Sequence, residues 1–520
     1  MSTLTNVNNS DLLSAIELGC MTMASVFNAD DNEIPFFGSE VLPNPRLSFS
    51  SVHSESHVPG RHLNALLSAE DIAGVNIDEE AVRKHTAATF FSYSGVAPLP
   101  LNREELGAPL INFNEHNLRE GFHALYALVR YRDSERAAEI AEASIDFVLD
   151  RWNSQSGWDR QKLEAEFDLR VAQDHTFITG TARAIGPLVK YFRTTGHGPA
   201  LDLALTLASK ATSEYFLPDG AYNRAKFGQH THSTTCVMSS LAQLADLTDD
   251  SALLERVRAF YDNGLWDIRD GLGWVIENSN DDSPPDRGEC NNTGDIVETA
   301  LILGRRGYPE YFQDAERIIR GHLLPAQLRD NSFIINPPNP MSEDGLHKVA
   351  ERHVGAFGFP APYGHRPLDL ERVSFNMDIV GGTVASLCEV LREAAVTTAL
   401  GHTVNMMFDH QSESLRVKVA SDGVTVIPLK PGPLRIRLPM WVDQSELKVE
   451  SSTRHHVLNS YVLIAEPCVG EDIKVSYPLA DSELVLHHRT RDIRAQLRGD
   501  TVVSMDDFGA ELTFFPTIGL

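Results

Sequence analysis

Basic residues are scarce beside acidic ones, cysteine is sparse, and no long apolar run occurs anywhere in the 520 residues. The 45 lysines and arginines face 72 aspartates and glutamates, a formal charge of -27. Such a surface repels a phosphate backbone and an anionic membrane over most of its area, so no nucleic acid and no membrane partner is expected. No apolar stretch approaches the ~20 residues that a bilayer span needs. Nor does MSTLTNVNNSDLLSAIELGC carry a basic region leading into a continuous apolar one, and the expected location is cytoplasmic. The five cysteines, Cys20, Cys236, Cys290, Cys388 and Cys468, are scattered and form no CxxC pair. That argues against a disulfide framework or a cysteine-rich zinc site.

What is present is a chain 42% hydrophobic and 22% charged, with room for a large core and a second domain. Before residue 400, helical patterns recur with short breaks. In SALLERVRAFYDNG, Leu253, Leu254, Val257, Phe260 and Tyr261 fall on one face behind the candidate caps Asp249 and Asp250. Comparable segments, HTFITGTARAIGPLVKYFRTTG from His175 among them, bring the total to about a dozen helices, a number that favours a closed toroid of hairpins over an open solenoid. After residue 400 the period becomes two, in SLRVKVA, GVTVIPLK, PLRIRLPMWV and DIKVSYPL, which read as short strands of a β-sandwich. The expected fold is therefore mainly α with a β domain, an (α/α)6 toroid followed by a C-terminal β-sandwich. Its divisions are an N-terminal extension over 1–50, the helical barrel over 51–398 and the sandwich domain over 399–520.

The stretch GECNNTGD places Glu289, Cys290, Asn291, Asn292 and Asp295 at the start of one helix. Glycoside hydrolysis needs one protonated carboxyl group for the leaving oxygen and one carboxylate for water or for carbon. Glu289 is the first candidate, with Asp174 and Asp295 second, although both aspartates also suit the ordinary role of acids at helix starts. Cys290 reads as a small buried residue. Candidate substrate-binding groups are His175, His230, His232, Asn291, Arg352, His353, Tyr363, His365, Glu115 and His116. His230 and His232 alternate in FGQHTHSTTC; hydrogen bonds to sugar hydroxyls, helix capping, or a three-ligand zinc site with Glu289 all fit that spacing. Trp266 and Trp274 suit either sugar stacking or plugging of the barrel. Arg224, Arg287, Arg352 and His365 place positive charge in loops of an acidic chain, which hints at a carboxylate-bearing sugar.

YPEYFQDAERIIRGHLLPAQ, preceded by GECNNTGDIVETALILGRRG, resembles the helix pair of the β-L-arabinofuranosidase-type glycoside hydrolases. SFNMDIVGGTVASL, HTVNMMFD and LRIRLPMWV follow in the same order, so the resemblance spans residues 285–445. It implies an (α/α)6 barrel with a C-terminal β-sandwich, and a glycosidase. That family has a glutamate and nearby cysteine where GECN lies and a cysteine pair opening the helix that matches SFNMDIVGG; together they ligate zinc, and one thiolate is the nucleophile. In this chain the pair falls near Phe375 and Asn376, and neither supplies a sulfur. The zinc-thiolate mechanism does not carry over.

The expected function is a carbohydrate-active enzyme, a metal-independent, exo-acting glycoside hydrolase with a carboxylate pair. Its substrate is a short oligosaccharide or glycoside, with uronate-containing ones among the options, and no cofactor or metal is expected. One alternative is a lyase acting by β-elimination beside a uronate, in which Asn291, Asn292, His232 and Tyr222 take the leading roles. The other is a non-catalytic carbohydrate-binding protein. A homodimer is left open.

Overall fold

The computed structural model describes residues 3–172, 175–280 and 284–519. Among the described residues, twelve helices of nine or more residues form six pairs: α1 Leu12–Met23, α2 Val58–Ala73, α3 Glu79–Ser92, α4 Leu118–Arg132, α5 Glu135–Arg151, α6 Ile185–Thr195, α7 Gly198–Glu214, α8 Thr231–Thr248, α9 Ser251–Asp262, α10 Cys290–Arg305, α11 Glu310–Ile318 and α12 Met377–Ala394. The even-numbered helices α2, α4, α6, α8, α10 and α12 each pack on the next, and α12 returns to α2. The ring is closed. This is the helical toroid, and the segment before residue 50 supplies its outer helix α1, which packs on α12 and α2.

Inner and outer helices differ in sequence for a physical reason. Inner helices are enclosed nearly all round; in α8 and α10 almost every residue from the first through the third turn is buried. Outer helices bury one stripe, such as Leu254, Val257, Phe260 and Tyr261 of α9. Their starts are closed by side chains: Asp11, Asp78, Ser134 and Asp250 each accept from an amide of the first turn. HTFITGTARA departs from the expected helix. Thr176 and Thr179 exchange hydroxyl-to-amide hydrogen bonds at 2.9 and 3.2 Å, which compete with helical pairing. Only a 3-10 turn, Thr181–Ala184, precedes α6.

Two five-stranded sheets follow. One runs in the order Ala395–Thr398, Gly401–Val404, Leu434–Arg437, Tyr461–Ile464 and His455–Leu458; the other His410–Gln411, Leu415–Ala420, Gly423–Pro428, Ile473–Ser476 and Lys448–Glu450. Leu415 and Val417 point inward while Arg416 and Lys418 point outward, and Val426, Leu434, Ile436, Val462, Ile464, Ile473 and Val475 complete a core separate from that of the toroid. The last strands, Asp481–His487, Asp492–Arg498 and Thr501–Met505, form a third sheet whose Leu486, Ile493, Ala495, Leu497 and Val502 belong to the toroid core instead.

Sandwich and toroid are joined by a buried polar bridge. Arg437 donates to Glu316 Oε2 at 2.6 Å, to Gln313 Oε1 at 2.8 Å and to the carbonyl of Asn405. Removing one partner of a buried pair leaves the other charge unpaired, so Arg437→Ala is expected to cost about 3–5 kcal/mol. Urea unfolding of the two proteins checks this; a shift within about 0.5 kcal/mol, as for an ordinary surface substitution, would contradict it.

Candidate active site

The starts of the inner helices meet at one mouth of the toroid. His57, Asn117, His230, Glu289 and Asn376 occupy the N-cap positions of α2, α4, α8, α10 and α12, and none of these side chains accepts from a first-turn amide of its own helix. The side chains are thereby released toward one another. The aligned helix dipoles and first-turn amides make this mouth favourable to negative charge.

Its floor is a buried network of alternating charge. Glu120 Oε1 accepts from Arg61 at 3.1 Å, Arg119 at 3.2 Å and Arg183 at 2.8 Å. Asp378 Oδ2 lies 3.3 Å from Arg61 Nε and 3.2 Å from His57 Nε2, and Asp295 Oδ1 lies 3.5 Å from Arg119. Burial opposes ionisation of Glu120, but Arg183, His57, Arg61 and Arg119 outweigh it and hold its pKa well below the usual range. Asp378 behaves likewise: Arg61 and His57 overcome burial and bring it down to about 2. Asp295 goes the other way, raised by burial to about 7 with only partial relief from Arg119.

Above the floor, Glu289 Oε1 accepts from Asn291 Nδ2 at 3.0 Å. Glu289 Oε2 is 3.7 Å from His230 Nε2, and Oε1 is 3.7 Å from His232 Nδ1. Burial raises the Glu289 carboxyl, yet the interactions with His230 outweigh it and its pKa falls below the ordinary value. His232 is fully buried, and burial, reinforced by Arg61, Arg183 and Arg119, pushes its pKa well down, so its imidazole is neutral. Its Nε2 lies 3.4 Å from Asp295 Oδ2. Glu289, His232 and Asp295 thus form a line from the rim to the interior, with a carboxylate held toward its ionised form at one end and a carboxyl group that takes up a proton near pH 7 at the other.

Imidazoles face this line. His116 lies 5.3 Å from His230 between ring centroids, is stacked with His57 at 5.6 Å and with His175 at 5.6 Å, and engages the Thr179 carbonyl through Nδ1 at 2.8 Å. Glu115 accepts from Thr181 at 2.5 Å and from Arg160 at 3.3 Å, and burial raises its pKa. Of the residues singled out in the sequence, Glu289, Asp295, Asn291, His230, His232, Glu115, His116 and His175 therefore come together. Asp174 lies outside the described residues.

Four other candidates make their contacts elsewhere. Arg352 donates to the carbonyls of Ser25, Phe27 and Asp344, which fastens the loop around it to the N-terminal segment. His353 is held between the Val349 carbonyl and the Ser39 hydroxyl, Tyr363 donates to Asp286 at 2.9 Å, and His365 packs edge-on against Phe375 and Phe514. The polar atoms of Arg352, His353 and Tyr363 are used in holding the long loop, and His365 contributes ring packing. Conversely, Arg61, Arg119, Glu120 and Arg183 were not singled out, nor were His53 and His57. The signal was present in SSVHSESHVPGRHLN, where His57 and Arg61 are four apart and so share one helix face.

The zinc-thiolate centre implied by the resemblance does not fit. Phe375 is buried, Asn376 caps α12, and Cys290 is fully buried with its thiol pushed up to about 12. The donors beside Glu289 are imidazoles. His230, His232 and Glu289 have one donor atom each within 4.8 Å of one another, as do His53, His57 and His116, and either group could hold a metal ion. In the first group Arg61 Nη2 stands 3.5 Å from His232 Nδ1, so a cation already faces that donor atom.

An (α/α)6 toroid with a β-sandwich and a polar, histidine-rich mouth is the class these features define. The chain is similar in structure to a GH127 β-L-arabinofuranosidase from Geobacillus stearothermophilus T6, at 17% identity and a TM-score of 0.55, over 94% of this chain and 80% of that one. It is also similar to a second GH127 β-arabinofuranosidase, at 12% and 0.56 over 95% and 81%, and to a sugar epimerase from a ruminal bacterium, at 12% and 0.50 over 72% and 98%. At such identities the likeness is one of fold, and it agrees with the resemblance drawn from the sequence. No family model and no curated protein matches the sequence.

The raised pKa of Asp295 has a consequence for stability. Its folded value lies above the unfolded value of about 3.9, so its contribution is fully present below about pH 4 and is lost as pH rises through about 7. Asp295→Asn removes that loss. The unfolding free energy of the variant relative to wild type is expected to increase between about pH 4 and about pH 7 in denaturant titrations. Parallel pH profiles would contradict the assignment.

Proposed function

We propose that this protein is a carbohydrate-active enzyme that hydrolyses O-glycosidic bonds, exo-acting on a short oligosaccharide or glycoside bound at the mouth of the toroid. The observation that carries the reading is the opposed ionisation of Glu289 and Asp295 across His232. Carboxyl groups whose environments drive their pKa values apart are the pattern expected of acid–base work on a glycosidic bond.

In this reading Glu289, ionised and nearest the rim, is the carboxylate that activates water or attacks the anomeric carbon. His232, neutral and held between two carboxyl groups, orients Glu289 and passes protons between it and Asp295. Asp295 lies behind His232 with a side chain only 4% exposed, so it acts through His232 and not on the sugar. The acid that protonates the leaving oxygen comes from the opposite wall, where burial keeps Glu115 toward its neutral form; Asp174, next to His175 in the sequence, is the other candidate. His116, His175, His230 and Asn291 hydrogen-bond sugar hydroxyls. This reading is metal-free, and the Arg61 guanidinium that faces His232 Nδ1 supports it.

The row of imidazoles favours one second reading. Neutral histidines are suited to abstracting a proton beside a uronate carboxyl group, which would make the protein a lyase. Hydrolysis and elimination differ in their products, since only elimination leaves a conjugated double bond that absorbs ultraviolet light.

The test is a panel of aryl glycosides and uronate oligosaccharides, followed at the released aglycone and at the ultraviolet absorbance. The expected result is aglycone release that survives EDTA and falls by about a thousandfold or more in kcat for Glu289→Gln, with no ultraviolet product. Ultraviolet product instead would establish the lyase. Loss on EDTA treatment restored by added zinc would overturn the metal-free mechanism.

A further inference from the structure

A second cavity, of about 300 Å³, opens where the toroid meets the three-stranded C-terminal sheet. Tyr222, Arg224, Trp266, Arg269, Trp274 and Arg489 line it. Trp266 is 49% exposed, unusual for so large an apolar side chain. One face of its indole lies 4.2 Å above the Arg269 guanidinium, so its exposed area is on the cavity side.

Arg269 backs the indole from beneath. Its side chain is 1% exposed, donates to Asp314 through Nη2 at 3.0 and 3.2 Å, and is packed between the rings of Tyr261 and Trp266, which holds Trp266 in place. Arg489 donates to the Asn280 carbonyl at 3.0 Å and, with Arg224, brings further positive charge to the rim. Two acids also line the cavity. Asp270 is already engaged by the amides of Leu272 and Trp274 and by His488, while Asp267 is exposed. With Arg269 paired to Asp314, the two rim arginines, Arg224 and Arg489, beside an open indole favour an anionic ligand with a flat apolar face.

The cavity is also joined to the catalytic mouth. Ile276 and Ser279 line it, and the segment that carries them is held from the other side by the start of α8 and by Glu289. The Thr231 hydroxyl donates to the carbonyls of Ile276 and Glu277, Asn278 pairs with His230, and the Glu289 amide donates to the Val275 carbonyl at 3.3 Å. Residues 275–279 separate the two sites by a single strand of chain.

We infer that this cavity is a second sugar site, built for a uronate unit whose ring stacks on the open face of Trp266 and whose carboxylate meets Arg224 and Arg489 at the rim. It rests on the carbohydrate reading above and places recognition of the acidic sugar outside the catalytic cluster.

Calorimetric titration of glucuronate and galacturonate, with glucose as the neutral control, tests it on wild type, Glu289→Gln, Trp266→Ala and Arg489→Ala. The expected result is saturable uronate binding to wild type and Glu289→Gln alike, weakened about tenfold or more by Trp266→Ala and less by Arg489→Ala, with glucose at least about tenfold weaker. No saturable uronate binding to wild type would overturn the inference, as would binding lost in Glu289→Gln but kept in Trp266→Ala. Trp266 is a surface residue, so folding of that variant is checked by its unfolding curve. Absence of glycosidase activity with uronate binding intact would count against the proposed function alone; activity without uronate binding would count against this site alone.

Discussion

Everything at the mouth of the toroid depends on pairing three buried arginines with three buried carboxyl groups. Arg61 comes from α2, Glu120 from α4, Arg183 from the turn into α6, Asp295 from α10 and Asp378 from α12, with Arg119, also on α4, as the third cation. His232 of α8 joins through Arg61 and Asp295, so five inner helices and the turn into the sixth contribute to one network. Ion pairs removed from water are stable only when the geometry pairs each charge, and loss of one member leaves its partners exposed to the full desolvation cost. The network therefore constrains the angular position of every inner helix about the axis of the ring.

The same constraint sets the chemistry. Glu120 shares one oxygen among three arginines and is locked in its ionised form, as is Asp378. Asp295 receives only one long contact from Arg119 and so becomes the carboxyl group that burial can protonate near neutrality. Two carboxyl groups on either side of one imidazole thus differ in charge because the arginines are distributed unequally. No feature of Glu289 or Asp295 taken singly requires this; it follows from where Arg61, Arg119 and Arg183 point.

How much of this was legible in the sequence depended on the range of the forces involved. Helical and alternating periods are local, and they disclosed the toroid and the sandwich, with α9 and the Leu415–Ala420 strand as clear cases. GECNNTGD and QHTH stood out because short clusters of donors at helix starts have few other uses, and the structure does bring Glu289, His230 and His232 together. Arg352, His353, Tyr363 and His365 had the same chemical appearance, yet their partners lie far along the chain: Arg352 is fixed by Ser25 and Phe27, and Tyr363 by Asp286. Charge-bearing residues in a long loop are as useful for fastening the loop as for binding a ligand. Arg61, Glu120 and Arg183 were hidden for the opposite reason, since a lone arginine within an amphipathic helix resembles a solvated surface residue until its neighbours close around it.

The central claim is that Glu289 and Asp295 differ in protonation on either side of His232, and difference infrared spectroscopy reads this directly. Spectra of wild type against Asp295→Asn at about pH 6, one unit below the folded value of about 7, isolate the carboxyl group of Asp295. The account predicts the C=O band of a protonated acid that disappears in Asp295→Asn and fades as pH rises above about 7, while the Glu289→Gln difference shows a carboxylate band throughout. A carboxylate band for Asp295 at about pH 6, with both groups titrating together near the ordinary value of about 4, would contradict it.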